Sequence, residues 1–340
     1  MLQHGGRLKA VAKEYDMALD DWIDLSTGIN PYHWPIPELP TSAFTRLPED
    51  DDGLMQAVLQ YYKSDLCLPV AGSQAAIQML PRCRKKSTVA VPETGYAEHA
   101  WQWQSAGHDV VFYNEENIDS VINNADVAII INPNNPTAKF YSPQQLLRWY
   151  QTLQSRQGWL IIDEAFIDCE QNNSLLGQAD KPGLIVLRSV GKFFGLAGIR
   201  SGFVFADTAL LEKMHKMQGP WALTGVSRLL TKMALLDTDW QDQAKQKLQT
   251  ASAEFQQIIK ECSGFAVNAT QLFVTIFHPQ AEQLYRMFAE HAVLVRLLDN
   301  KQGIRLGLAD DTQQEQVCLV IRQVFDAINN ERPTVSIKTA

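Results

Sequence analysis

Between residues 69 and 206, short apolar runs alternate with segments of helical composition, and this rhythm constrains the fold more than any other feature of the chain. The runs fall at residues 88–91, 110–113, 127–131, 159–162, 184–187 and 202–205. Strands that alternate with helices and lack a polar face are those of a parallel sheet covered on both sides. The expected architecture is therefore α/β, with a mostly parallel central sheet covered by helices. After Pro220 the pattern changes. Residues 223–236 and 240–261 read as long helices, followed by short strands near 272–277 and 303–308 and a final helix over 312–329. That second pattern suits a smaller α+β domain. The expected boundaries are an N-terminal segment, 1–41, joining the small domain, a large domain over 42–235, the small domain over 236–331, and a loose tail over 332–340.

Bulk properties narrow the function classes. A chain of 340 residues, 46% hydrophobic, can bury a large core. A formal charge of -8, from 30 basic and 38 acidic residues, leaves no basic footprint for nucleic acid. Cys67, Cys83, Cys169, Cys262 and Cys318 show neither zinc spacing nor a paired framework, so no metal is expected and a reducing cytoplasm is. No segment reads as a signal peptide or a membrane span. The acidic run over residues 49–52 reads as a solvated turn.

The chemistry concentrates in a few segments. Lys192 lies in S-V-G-K-F-F-G-L-A-G-I-R, residues 189–200, just after a strand-like run. A lysine there, beside one hydroxyl and ahead of an arginine, suits a covalently held phosphorylated aldehyde. Its amine would form a Schiff base with pyridoxal phosphate, while Ser189 and Arg200 bind the phosphate through a hydroxyl and a guanidinium. D-E-A-F-I-D places Asp163 at the carboxyl end of a strand, where it can pair with the pyridine nitrogen and keep that nitrogen protonated. N-P-N-N-P-T, residues 132–137, is a proline-fixed turn able to aim the Asn135 amide at the cofactor's phenolic oxygen. Upstream, the amide protons of Ser73 and Gln74 open a helix and offer a phosphate cradle. Each segment also has an ordinary reading: a surface lysine, a helix-capping aspartate, a plain turn, a serine N-cap.

Taken in order, the segments resemble the fold-type I pyridoxal-phosphate enzymes of the aspartate aminotransferase superfamily, over nearly the whole chain. The resemblance implies pyridoxal 5'-phosphate as cofactor, catalytic roles for Lys192 and Asp163, and cofactor contacts from Ser73, Gln74, Asn135, Ser189 and Arg200. It also implies an aromatic ring stacked on the cofactor; P-E-T-G-Y-A-E-H offers Tyr96, with His99 the second candidate. Within the superfamily the chain resembles the threonine-phosphate decarboxylases of cobalamin synthesis. The carrying residues are His4-Gly5-Gly6, D-L-S-T-G-I-N-P at 24–31, and Gly219-Pro220-Trp221.

This branch implies a carboxy-lyase acting on a phosphorylated amino acid, as a homodimer. His4, Gly5 and Asn30 would contact the substrate, and Arg305, in G-I-R-L-G, would take its carboxylate. Arg296 either faces the same cleft or pairs on the surface. The alternatives are a histidinol-phosphate aminotransferase, which uses nearly the same residues, and a cofactor-binding protein without turnover. Four positions depart from the aminotransferase pattern: Phe166 for a tyrosine on the phenolic oxygen, Leu47 for a cross-dimer tyrosine, Ala138 for a glycine and Gly191 for a hydroxyl residue.

Overall fold

The apolar runs become strands in the computed structural model, which describes residues 5–330. In chain order these are β1 (Ile23–Asp24), β2 (Cys67–Val70), β3 (Thr88–Pro92), β4 (Asp109–Tyr113), β5 (Val127–Ile131), β6 (Trp159–Asp163) and β7 (Leu184–Ser189). There follow β8 (Gly202–Phe205), β9 (Val267–Ala269), β10 (Phe273–Phe277), β11 (Val293–Leu294), β12 (Arg296–Leu297) and β13 (Gly303–Gly307). Two units emerge among the described residues: Tyr32–Lys247, and residues 5–31 together with 248–330.

The larger unit holds one sheet in the order β2-β8-β7-β6-β5-β3-β4. β8 alone runs against the other strands. Alternation along each strand splits the core into two layers. Ile129, Ile161 and Ile185 pack on one face with Ile77, Trp103 and Met214. Those partners come from the helices Ser73–Met79, Glu98–Ser105 and Thr208–Gln218. Ile130, Leu160 and Ile162 pack on the other face with Ile122, Leu146 and Trp149 of the helices Ile118–Asn124 and Pro143–Gln154. Burying each such side chain contributes roughly 1.5–3 kcal/mol, so the doubly covered central strands anchor the unit.

Local chemistry accounts for the elements whose bounds or existence the sequence obscured. β2 carries Pro69, which argues against a strand until the strand proves to lie at the sheet edge, paired only with β8. The helix expected from residue 223 begins later, as Gly225–Leu236, because Thr224 leaves the helical conformation and its side chain accepts the Ser227 N–H. The acidic run is not wholly solvated. Asp50 is exposed, but Asp52 accepts from Arg228 Nε at 2.6 Å and from the Leu54 N–H at 3.0 Å, which starts the helix Leu54–Tyr62.

The smaller unit has an antiparallel sheet ordered β12-β13-β10-β9 and a parallel pair, β1 with β11. The N-terminal segment thus enters this unit through β1. The helices Ala281–Glu290 and Gln314–Asn330 bury Leu284, Phe288, Ile321 and Phe325. No described helix is long and apolar enough to cross a membrane.

Candidate active site

In the larger unit, the carboxyl ends of β5, β6 and β7 open onto a cleft, the place where ligands of open α/β sheets bind. Ser73, Gln74, Tyr96, Asn135, Asp163, Ser189, Lys192 and Arg200 all line it, together with Phe166. They come from separate strand ends and loops, so only the folded sheet brings them together.

Asp163 is the last residue of β6, beside Ile131 of β5 and Leu187 of β7. It is 4% exposed, and its Oδ1 accepts the Ala165 N–H at 3.1 Å. Its Oδ2 lies 2.9 Å from Nε2 of His99, itself 2% exposed. An ionised carboxylate only accepts, so the imidazole presents its Nε2 proton to it. His99 therefore backs the aspartate, while Tyr96 lines the cleft. His99 sits one helical turn beyond Tyr96, on the opening turn of a helix that packs against the sheet.

Lys192 follows β7 through Ser189, whose Oγ accepts the Gly191 N–H at 3.3 Å. Its Nζ lies 5.3 Å from the centre of the Phe166 ring, a face-on cation contact. Gly191 is pressed against Ala197: an added Cβ would approach its Cα to 3.1 Å. Arg200 takes a left-handed conformation (φ 52°), with Nη1 donating to the Ala197 carbonyl at 3.1 Å. Gly72 also has positive φ, and a Cβ there would fall 2.7 Å from Arg200 Nη2. A Cβ on Gly202 would fall 2.7 Å from the Ser73 nitrogen. These two glycines let a guanidinium and a helix N-terminus crowd one corner of the cleft, the donor set an anionic phosphate requires.

Around that corner the polar side chains are already ordered. The Tyr96 hydroxyl donates to Gln74 Oε1 at 3.1 Å, and Gln74 Nε2 donates to Glu98 Oε2 at 2.7 Å. Asn135 is held at the cleft by its neighbours: Asn132 bonds both backbone groups of Tyr141, and Asn134 accepts from the Thr137 N–H and hydroxyl. Ala138 has φ 57°, the left-handed region that favours glycine. Behind the cleft, Arg188 is fully buried, with Nη1 3.2 Å from Glu164 and Nη2 2.6 Å from Asp168. Burial raises the Glu164 carboxyl above its usual range, an effect that Arg188 and the donors from Ser174 and Leu175 offset in part.

Four of the expected substrate residues lie in the smaller unit, and His4 lies outside the described residues. Asn30 is buried in the loop after β1. Gly5 packs on the Ser26 carbonyl. Arg296 and Arg305 face each other across β12 and β13. Arg305 is 1% exposed, donates through Nη2 to the Ser26 carbonyl and lies over the Phe273 ring. Burial, and next the neighbouring Arg296 charge, bring its pKa down to about 9, with Asp24 opposing. Arg296 is buried too, with Nη2 3.8 Å from Oδ1 of the half-exposed Asp299. Two buried guanidiniums on adjacent strands repel, and an anion between their charges would relieve that repulsion.

A sheet with this strand order and a lysine, aspartate and asparagine at its carboxyl edge define the class: the chain belongs to the aminotransferase class I and II family, whose model matches residues 21–318. Its cofactor is pyridoxal 5'-phosphate. Among characterised relatives, the threonine-phosphate decarboxylase of Pseudomonas aeruginosa is 43% identical over 311 residues, 92% of this chain and 94% of that protein. The threonine-phosphate decarboxylase of a Sinorhizobium species is 36% identical over 91% of this chain and 93% of its own. The fold is shared with the histidinol-phosphate aminotransferase of Sinorhizobium meliloti, solved in complex with pyridoxal-5'-phosphate, at a TM-score of 0.83 and 18% identity over 96% of each chain.

Proposed function

We propose that this chain is a pyridoxal-phosphate-dependent carboxy-lyase that converts L-threonine O-3-phosphate to (R)-1-aminopropan-2-yl phosphate and carbon dioxide for cobalamin biosynthesis. The observation that carries the reading is the 43% identity to a threonine-phosphate decarboxylase across nearly the full length of both chains. Likeness to a histidinol-phosphate aminotransferase at 18% identity speaks to architecture alone.

When bound, pyridoxal phosphate supplies an electron sink conjugated to the substrate's α-carbon. The residues of this chain then divide the remaining tasks. Arg200, the Ser189 hydroxyl and the amides of Ser73 and Gln74 bind the cofactor phosphate. Asp163, backed by His99, keeps a proton on the pyridine nitrogen through its negative charge. Asn135 donates to the phenolic oxygen, to which Phe166 has no hydroxyl to offer. Lys192 holds the cofactor in the resting enzyme and carries a proton to the α-carbon after carbon dioxide departs. Arg305 takes the substrate carboxylate, while His4, Gly5, Asn30 and Arg296 take its phosphate end.

The active species in this reading is a cytoplasmic homodimer. Phe44, Leu47 and Trp221, respectively 66%, 64% and 59% exposed, line one groove of the larger unit, an apolar patch of the kind that partners cover. The cysteines are free thiols, which suits a reducing compartment.

Purified protein with pyridoxal phosphate should release carbon dioxide from L-threonine O-3-phosphate. It should form no glutamate from histidinol phosphate and 2-oxoglutarate added in the reverse sense of transamination. Glutamate without carbon dioxide would make the chain an aminotransferase. Neither product would leave a cofactor-binding protein without turnover.

A further inference from the structure

In the smaller unit a single serine holds both Arg305 and Gly6, the neighbour of Gly5. Ser26, 2% exposed, lies just past β1. Its Oγ accepts the Gly6 N–H at 2.9 Å, and its backbone carbonyl accepts from Arg305 Nη2. The orientation of Ser26 is set from behind. Asp24 Oδ1 accepts the Ser26 hydroxyl at 2.6 Å and the Ser26 N–H at 2.8 Å. With its proton committed to a carboxylate, the hydroxyl can serve Gly6 only as an acceptor, so the whole chain of bonds runs one way.

The N-terminal segment is shaped to meet this serine. A Cβ on Gly5 would fall 2.3 Å from the Ser26 carbonyl oxygen, a distance no side chain tolerates, and Gly6 has φ +78°, in the left-handed region. The far side of the same loop is pinned by the Gly307 N–H, which donates to the Leu25 carbonyl at 2.6 Å. The Asp24 charge also opposes the effect of burial on Arg305.

We propose that Ser26, oriented by Asp24, is a positioning residue that couples the N-terminal glycine pair to Arg305, so that the groups meeting the substrate's anionic ends are ordered together before it arrives. The inference deepens the proposed function and rests on it for the identity of the ligand. Ser26 touches no reacting atom, and its effect passes through Gly6 and Arg305.

The test uses holoenzyme, wild type and Ser26→Ala, with Ser26→Thr as the variant that retains the hydroxyl. Hydrogen exchange of the N-terminal peptide reads the Gly6 bond directly, and steady-state decarboxylation of L-threonine O-3-phosphate reads its consequence. Ser26→Ala should speed exchange and raise KM about five- to tenfold, the worth of one buried hydrogen bond, with kcat within about twofold of wild type. Ser26→Thr should restore both. Unchanged exchange, a fall in kcat at constant KM, or a threonine variant as impaired as alanine overturns the proposal. Should Ser26→Ala fail to fold, Asp24→Asn, which keeps the volume and removes the orienting charge, is read in the same assays with the same expectation. If the wild type does not turn over phosphothreonine, the proposed function falls. Exchange, together with calorimetric binding of inorganic phosphate, then decides this inference: weaker phosphate binding by Ser26→Ala upholds it, and equal affinity ends it.

Discussion

Lys192 and Asp163 reach the same cleft from the ends of neighbouring strands, and each supports a prediction of its own. Lys192→Ala should abolish decarboxylation and also the cofactor adduct that borohydride fixes to the chain, as read by intact mass. An adduct persisting on another lysine would move the chemistry elsewhere. His99 is held 2.9 Å from Asp163 Oδ2, and removing it leaves a buried carboxylate oxygen without that donor. A loss of one such charge-assisted bond is worth about 1.5–3 kcal/mol, so His99→Ala should lower kcat by roughly ten- to a hundredfold. His99→Gln, which can still donate, should recover part of it. An unchanged kcat in the alanine variant would show that Asp163 holds its position without the imidazole. The sequence marked Asp163 through its place after an apolar run, but the role of His99 was hidden. Whether an imidazole stacks on a ligand or backs an aspartate depends on where its helix lies over the sheet, and no local pattern records that.

At the scale of elements, buried charges tie β6 and β7 to the loops behind the cleft. Arg188 joins Glu164 and Asp168, which also accepts the Tyr61 hydroxyl at 2.9 Å. Arg188→Met strands two buried carboxylates and should cost about 3–5 kcal/mol in chemical denaturation. A smaller loss would mean that these acids protonate in the variant. The clamp of Arg228 on Asp52 yields a pH dependence. Desolvation alone would raise the Asp52 pKa, but the hydrogen bond from Arg228 and the Leu54 N–H outweigh it and hold the carboxyl below its usual range. A depressed folded-state pKa contributes stability above the unfolded value and loses it as pH falls through the folded one. Asp52→Asn should therefore be less stable than wild type at neutral pH, with the gap closing on acidification below the ordinary aspartate pKa of 3.8. Parallel denaturation curves at all pH values would assign the acid sensitivity to other groups. In the sequence Asp52 was one of a run of acids, and its distant partner on another helix singled it out.

For the molecule as a whole, the exposed apolar groove of the larger unit leads to a prediction about assembly. Phe44→Asp with Leu47→Asp should shift a dimer toward monomer in light scattering and reduce activity at low concentration, because charges on a contact patch oppose its burial. A wild-type protein that is monomeric and fully active on dilution would instead leave the groove to another use.

By itself the sequence determined the covered parallel sheet and, through the family resemblance of its ordered motifs, the cofactor, because apolar runs of strand length and motifs that each sit within a few residues are local properties. Only the tertiary structure decided what those residues lean on. Pro69 becomes compatible with a strand because β2 lies at an edge. Ser26 acquires its role because β1, the N-terminal glycines and β13 converge from opposite ends of the chain. Buried polar groups must find partners, and the nearest partner in space is set by the packing of elements far apart in sequence.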